Sequence, residues 1–148
     1  MNNFDTNIFA ERLYELMLEK SLNTPKLANE LGICRTTLTR YLSGKTVPSL
    51  STAIMLADYF SCALDYLLGS EKESYYDKFK PCPPFTKQFA FLLEHFGKTK
   101  TEVHEKAGIT ESLIYDWQRG TYAPTIYNVI KLAEFFDCSV DFVIGRGN

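Results

Sequence analysis

The chain has 148 residues, 45% of them hydrophobic and 23% charged, with a formal net charge of −2. That composition fits a folded globular protein and excludes a disordered or fibrous one. The small acidic excess and a pI near 5.7 exclude a uniformly basic, polyanion-coating surface. No apolar run approaches the roughly 20 residues of a membrane helix, and MNNFDTNIF has no basic stretch leading into an apolar one. A cytoplasmic protein with neither a span nor a secretory signal is therefore expected. Cys34, Cys62, Cys82 and Cys138 are scattered without CxxC spacing, so they read as free thiols filling small apolar sites. His95 and His104 are too isolated for a metal site or a catalytic dyad, and no metal or cofactor is expected.

A shift of 76 residues superimposes the halves without a gap, with thirteen identities between 9 and 69, among them Phe9/Phe85, Gly32/Gly108, Gly44/Gly120, Pro48/Pro124 and Gly69/Gly145. Most fall at apolar, Gly or Pro positions, which set a fold. Between the copies, GSEKESYYDKFKPCPPF is charged and then proline-rich, the composition of a linker. The expected organisation is a first domain over 1–70, a linker over 71–84 and a second domain over 85–148. Units of about 65 residues are near the minimum for a self-supporting core.

In chain order, Ile8, Phe9, Leu13, Leu16 and Met17 recur at helical spacing and predict a helix over about 6–20, with Asp5 as N-cap. Asn23-Thr24-Pro25 starts a second helix, with Leu27, Ala28 and Leu31 inward and Gly32 as its stop. A third opens at Cys34 or its neighbour and ends at Ser43-Gly44. Beyond Pro48 a fourth turns Ile54, Leu56, Ala57 and Phe60 inward, and a fifth over 64–68 is closed by Gly69. The second copy repeats the plan from Thr86, with stops at Gly97, Gly108, Gly120 and Gly145. No strand is needed, and the fold class is all-α.

Leu27-Ala28-x-x-Leu31-Gly32-Ile33, followed by a polar helix ending Tyr41-x-x-Gly44, describes two short helices joined by a tight turn. This pattern, continuing through GKTVPSL to ADYFSCALDYLLG, resembles the lambda repressor and Cro-like helix-turn-helix regulators, the XRE family. The similarity covers about 60 residues of each half. It implies two tandem five-helix lambda-repressor-like domains, each with a recognition helix made for the major groove of double-stranded DNA. The same resemblance makes Arg35, Thr36, Thr37, Thr39 and Arg40 the base-reading candidates. It makes Thr24, Ser43, Lys45 and Thr46 the phosphate contacts. Arg is the usual bidentate partner of guanine, and Thr offers a hydroxyl and a methyl. Between Leu31 and Ala57 there is no acidic residue, while Arg35, Arg40 and Lys45 are cationic. Local charge is what a phosphate backbone feels, because salt limits its reach to about 10 Å.

The second copy departs from this pattern. Glu111 stands at the place of Arg35, Asp116 at that of Arg40, Leu113 at that of Thr37, and His104 at that of Ala28. Asp116 facing phosphates would repel them, and His104 would hold its helix pair slightly apart. Lys98, Lys100, Thr110, Glu111, Ser112, Tyr115 and Arg119, with Tyr122, remain as possible DNA contacts. This half is expected to read bases weakly or to serve as a pairing module. Trp117, matched to Tyr41, should face the core, and Cys62 and Cys138 share one packing slot. Tyr75, Tyr76 and Phe79 are expected either to pack between the domains or to cover a dimer interface.

The favoured reading is a sequence-specific DNA-binding transcriptional regulator acting as a homodimer or as an intrachain pseudo-dimer, with no small-molecule ligand evident. The half-sites would lie about 34 Å apart. The rival is a protein-binding module, antitoxin-like or a prophage adaptor, marked by an apolar patch over Leu113, Tyr115 and Tyr122. An enzyme is the least favoured class, because no reactive constellation is present.

Overall fold

The computed structural model describes residues 5–70 and 79–147; Tyr75 and Tyr76 lie outside the described residues. Among the described residues there are ten α-helices and no strand, in two compact units, one within 3–71 and the other within 72–148.

The first unit holds α1 (Thr6–Glu19), α2 (Thr24–Leu31), α3 (Arg35–Leu42), α4 (Leu50–Tyr59) and α5 (Leu64–Leu68). The Asp5 carboxylate accepts the Asn7 N–H at 2.8 Å and starts α1. Asn23 does the same for α2 through Lys26, at 2.9 Å, with Pro25 in the first turn. Both arrangements satisfy N–H groups that a helix start leaves without intrahelical partners. The core is built from Phe9, Leu13, Leu27, Leu38, Ala53, Leu56, Ala57, Leu64 and Leu67. Ile8, Leu31 and Ile54, expected inward, are half-buried at its margin, and on α4 the buried places go to Leu50 and Ala53.

The second unit repeats the order as α6 (Phe85–Phe96), α7 (Lys100–Ala107), α8 (Glu111–Arg119), α9 (Ile126–Phe136) and α10 (Val140–Ile144). Thr99 and Glu102 cap α7 reciprocally, through bonds of 3.2 and 3.3 Å. Gly97, Gly108, Gly120 and Gly145 end their helices as expected. However, α9 stops at a left-handed Asp137, with φ +54°. A short polar side chain tolerates that conformation better than a branched one.

One edge-on ring contact recurs. Phe9 of α1 meets Tyr41 of α3 at 6.0 Å and 75°. At the matched places Phe85 of α6 meets Trp117 of α8 at 5.6 Å and 88°. Phe89 adds a second edge to the indole at 5.6 Å. Trp117 is buried, as expected from its match to Tyr41.

The second unit also encloses an ion pair. Arg146 Nη1 donates to Asp141 Oδ1 at 2.8 Å, with both side chains fully buried. The guanidinium lies 3.9 Å from the centre of the Phe79 ring, and the Lys80 N–H donates to the Arg146 carbonyl at 3.0 Å. Phe79, half-buried, thus stacks on the guanidinium of this pair.

Removing one partner of a buried pair strands the other charge, a cost of about 3–5 kcal/mol. Asp141→Ala should lower the urea midpoint of the second unit accordingly. Trp117 is the chain's single tryptophan, so its fluorescence reports that unit directly. Gly32 at φ +68° has nothing within 4 Å of an added Cβ, so Gly32→Ala should cost about 1–2 kcal/mol from the left-handed backbone alone. Gly44→Ala should cost more in the same denaturation assay, because its Cβ would also stand 2.7 Å from Asn7 Oδ1.

Candidate nucleic-acid interface

The outward face of α3 is positioned by its inward one. Leu38 and Tyr41 are buried against α1 and α2, three residues apart on a single helical stripe. That packing leaves Arg35, Thr36, Thr39 and Arg40 exposed together. Thr37 is half-buried on the flank of the packed stripe, so its reach outward is smaller than that of its neighbours. Of the remaining expected contacts, Ser43 and Lys45 are exposed, while Thr24 and Thr46 are half-buried. The Ser43 hydroxyl donates to the Arg40 carbonyl at 3.1 Å and closes the end of the helix. The flanking acids stay off this face in different ways. Glu30 accepts a hydrogen bond from the Tyr59 hydroxyl, tying α2 to α4, and Asp58 belongs to α4.

Sequence reasoning missed a groove of about 650 Å³ lined by Asn23, Pro25, Lys26, Ala28, Asn29, Gly32, Ile33 and Arg35. It brings the exposed Lys26 and Asn29 of α2 to the side of Arg35. Their three-residue spacing after Asn23 was the available signal, since it places them on one face.

Cys34 corrects the expectation that every cysteine fills an apolar site. None of the four is in a disulfide, but Cys34 is exposed at the N-cap of α3 while the other three are half-buried. The backbone N–H groups of Thr36 and Thr37 face its sulfur and hold the thiol below its ordinary range. Helix N-termini stabilise a thiolate in this way.

On α8, Ile114 and Trp117 take the buried places of Leu38 and Tyr41. Glu111, Ser112, Tyr115 and Arg119 are exposed, as are Lys100 and Thr110. Asp116, expected to confront phosphates, is half-buried, and Leu113 is half-buried like Thr37. The Arg119 guanidinium lies 5.1 Å from the centre of the Tyr115 ring. The Thr110 hydroxyl oxygen accepts from the Leu113 N–H at 3.3 Å as the helix cap. Lys98 shares Glu102 with Lys106 at 3.9 Å each, which lowers its availability. His104 Nδ1 lies 2.7 Å from the Ile109 carbonyl, across the turn, and α7 packs less extensively on α8 than α2 does on α3. A groove of about 460 Å³ results, lined by Lys100, Thr101, His104, Glu111, Ser112, Ile114, Tyr115 and Gln118.

A helix-turn-helix family model matches residues 13–67 and again 90–143. The chain belongs to this helix-turn-helix family. Its two matched segments take in α2, α3, α7 and α8 whole, the helices that carry the faces described above. Among curated proteins it is similar to the HTH-type transcriptional regulator AnsR of Bacillus subtilis (strain 168). Identity there is 43% over 63 residues, 43% of this chain and 54% of that protein. It is also similar to the HTH-type transcriptional activator BcrR of Enterococcus faecalis, 33% identical over 64 residues, 43% of this chain and 31% of that protein. The matches therefore span about half and about a third of those relatives. A transcriptional regulator from Listeria innocua aligns with 78% of this chain and 96% of its own, at 26% identity and a TM-score of 0.41. No helix among the described residues is long and apolar enough to cross a membrane.

Exposure and the lowered thiol make Cys34 the expected first site of alkylation. Iodoacetamide labelling followed by peptide mapping should show Cys34 reacting before Cys62, Cys82 and Cys138. Its rate should rise through a pH midpoint below that of a simple thiol. Equal labelling of all four would contradict the exposed N-cap position.

Proposed function

We propose that the protein is a sequence-specific DNA-binding transcriptional regulator whose first unit lays α3 in a major groove. The observation that carries this is the exposed cluster of Arg35, Thr36, Thr39 and Arg40, with Lys45 beyond it, on a face free of acids from Leu31 to Ala57. Arginine recognises guanine O6 and N7 bidentately, and the threonines take flanking bases or thymine methyls. Thr24, Ser43, Lys45 and Thr46 at the helix ends hold phosphates, which fix the register without reading sequence. The regulators AnsR and BcrR, similar over one unit's length, support this reading.

Two chains presenting two first units fit the chemistry better than one chain presenting both of its units. The reason is that α8 has Glu111 and Asp116 in the places of the two reading arginines. A protein-binding module is the second reading, favoured by the exposure of Tyr115 and Tyr122, at 58% and 65%. The patch is broken by the guanidinium stacked on Tyr115 and by half-buried Leu113. Binding to a protein through these tyrosines would be nearly insensitive to salt, whereas DNA binding weakens steeply with it.

Selection of bound duplexes from a random pool, followed by titration of Arg40→Ala, tests the proposal. A bidentate contact should cost about 1–3 kcal/mol on loss and relax one base position. Equal binding by wild type and variant would remove α3 from the groove.

A further inference from the structure

The grooves of the two units differ in the charges that line them. The first unit's groove has Lys26 and Arg35 on its walls and no acid. The groove of about 460 Å³ between α7 and α8 carries both signs. Lys100 Nζ, in the first turn of α7, lies 3.4 Å from Oε1 of the neutral Gln118, near the end of α8. Glu111 stands at the opposite end of the groove, in the first turn of α8. Seven residues of α8 separate Glu111 from Gln118, two turns on one side of the helix and about 10 Å along its axis. The two charges thus face one groove without meeting. Among the described residues no hydrogen bond or ion pair engages the Glu111 carboxylate. Between the ends, the buried Ile114 makes an apolar floor. His104 Nδ1 lies 2.7 Å from the Ile109 carbonyl, and a carbonyl only accepts, so Nδ1 donates and Nε2 is the ring's acceptor.

We propose that this groove binds a short zwitterionic peptide of dipeptide length, with its ammonium on Glu111 and its carboxylate on Lys100. Opposite charges held apart at the two ends of one groove fit a ligand that carries both. The spacing sets the length. Two residues span at most about 7 Å, and a charge-assisted hydrogen bond at each end adds about 2.8 Å, which together bridge the separation along α8. A single amino acid holds its charges too close together to meet both ends, and a third residue overshoots. The peptide N–H then donates to His104 Nε2, the peptide carbonyl accepts from the Ser112 hydroxyl, and an apolar side chain covers Ile114. His104 also shapes the groove. It stands at the place of Ala28, and α7 packs less extensively on α8 than α2 does on α3. The imidazole is the wedge that leaves room for a ligand. The site belongs to the second unit alone, so its occupation does not depend on what α3 contacts.

The test is calorimetric titration of the full chain with alanyl-leucine, and with its N-acetyl and C-terminal amide forms, which each lack one charge. The dipeptide should bind saturably and each capped form about 5-fold more weakly, the upper range for an ion pair at an open rim. Leucine alone and alanyl-alanyl-leucine should also bind more weakly. Two variants of exposed side chains assign the ends. In Glu111→Gln the acetyl cap should cost little further, while the amide cap keeps its penalty. In Lys100→Gln the pattern should reverse. Saturating dipeptide should raise the unfolding midpoint read by Trp117, which lies on α8, and the same readout shows that each variant is folded. No saturable heat at about 10 mM dipeptide would overturn the proposal, as would cap penalties that neither variant changes. A penalty from one cap alone would assign the groove to a lone amine or a lone carboxylate, such as a protein terminus, and would overturn it too.

Discussion

Everything this protein presents to a partner depends on an aromatic edge pressed against a ring. Phe9 on Tyr41, and Phe85 with Phe89 on Trp117, join the first helix of each unit to its third. Such contacts have a preferred geometry, which apolar burial alone lacks. They set the rotation of α3 and α8 about their own axes. A helix of eight or nine residues has too little intrinsic stability to hold its own orientation. The ring contact decides which side chains stand outward, and the Gly turns and caps decide how closely the preceding helix approaches.

Charge then decides what the outward face does. The whole-chain excess of −2 conceals one face free of acids and another with acids at the places of Arg35 and Arg40. Because screening confines an exposed charge to about 10 Å in ordinary salt, each face acts on its own neighbourhood. A weakly acidic protein can therefore still carry an oriented cationic surface.

Much of this was legible in the sequence, because the deciding interactions are local. Asp5 and Asn23 cap helices whose N–H groups lie two or three residues away, so spacing alone reveals them. Gly32 and Gly108 mark left-handed turns for the same reason. The 76-residue repeat made Trp117 a core residue through its match to Tyr41. What escaped depends on chain brought together by folding. The pairing of Arg146 with Asp141 beneath Phe79 leaves no mark on helical periodicity, because Phe79 approaches from well outside α10. The half-burial of Thr37 and Asp116 comes from the angle at which a helix settles on its neighbours. Cys34 has the composition of a core residue, and only its position at the opening of α3 turns it outward.

The shared inward pattern of α3 and α8 has an evolutionary consequence. Leu38 and Tyr41 correspond to Ile114 and Trp117, conservative exchanges that keep apolar bulk at the same spacing. The residues on the other side differ in charge and size, Arg35 against Glu111 and Thr39 against Tyr115. Folding therefore depends on one side of these helices, while the other side is left to vary. After duplication, one copy could drift in what it binds with little risk to its own stability. The framework is thus evolvable: a lineage can acquire a new target sequence by rewriting four or five side chains while inheriting the scaffold intact.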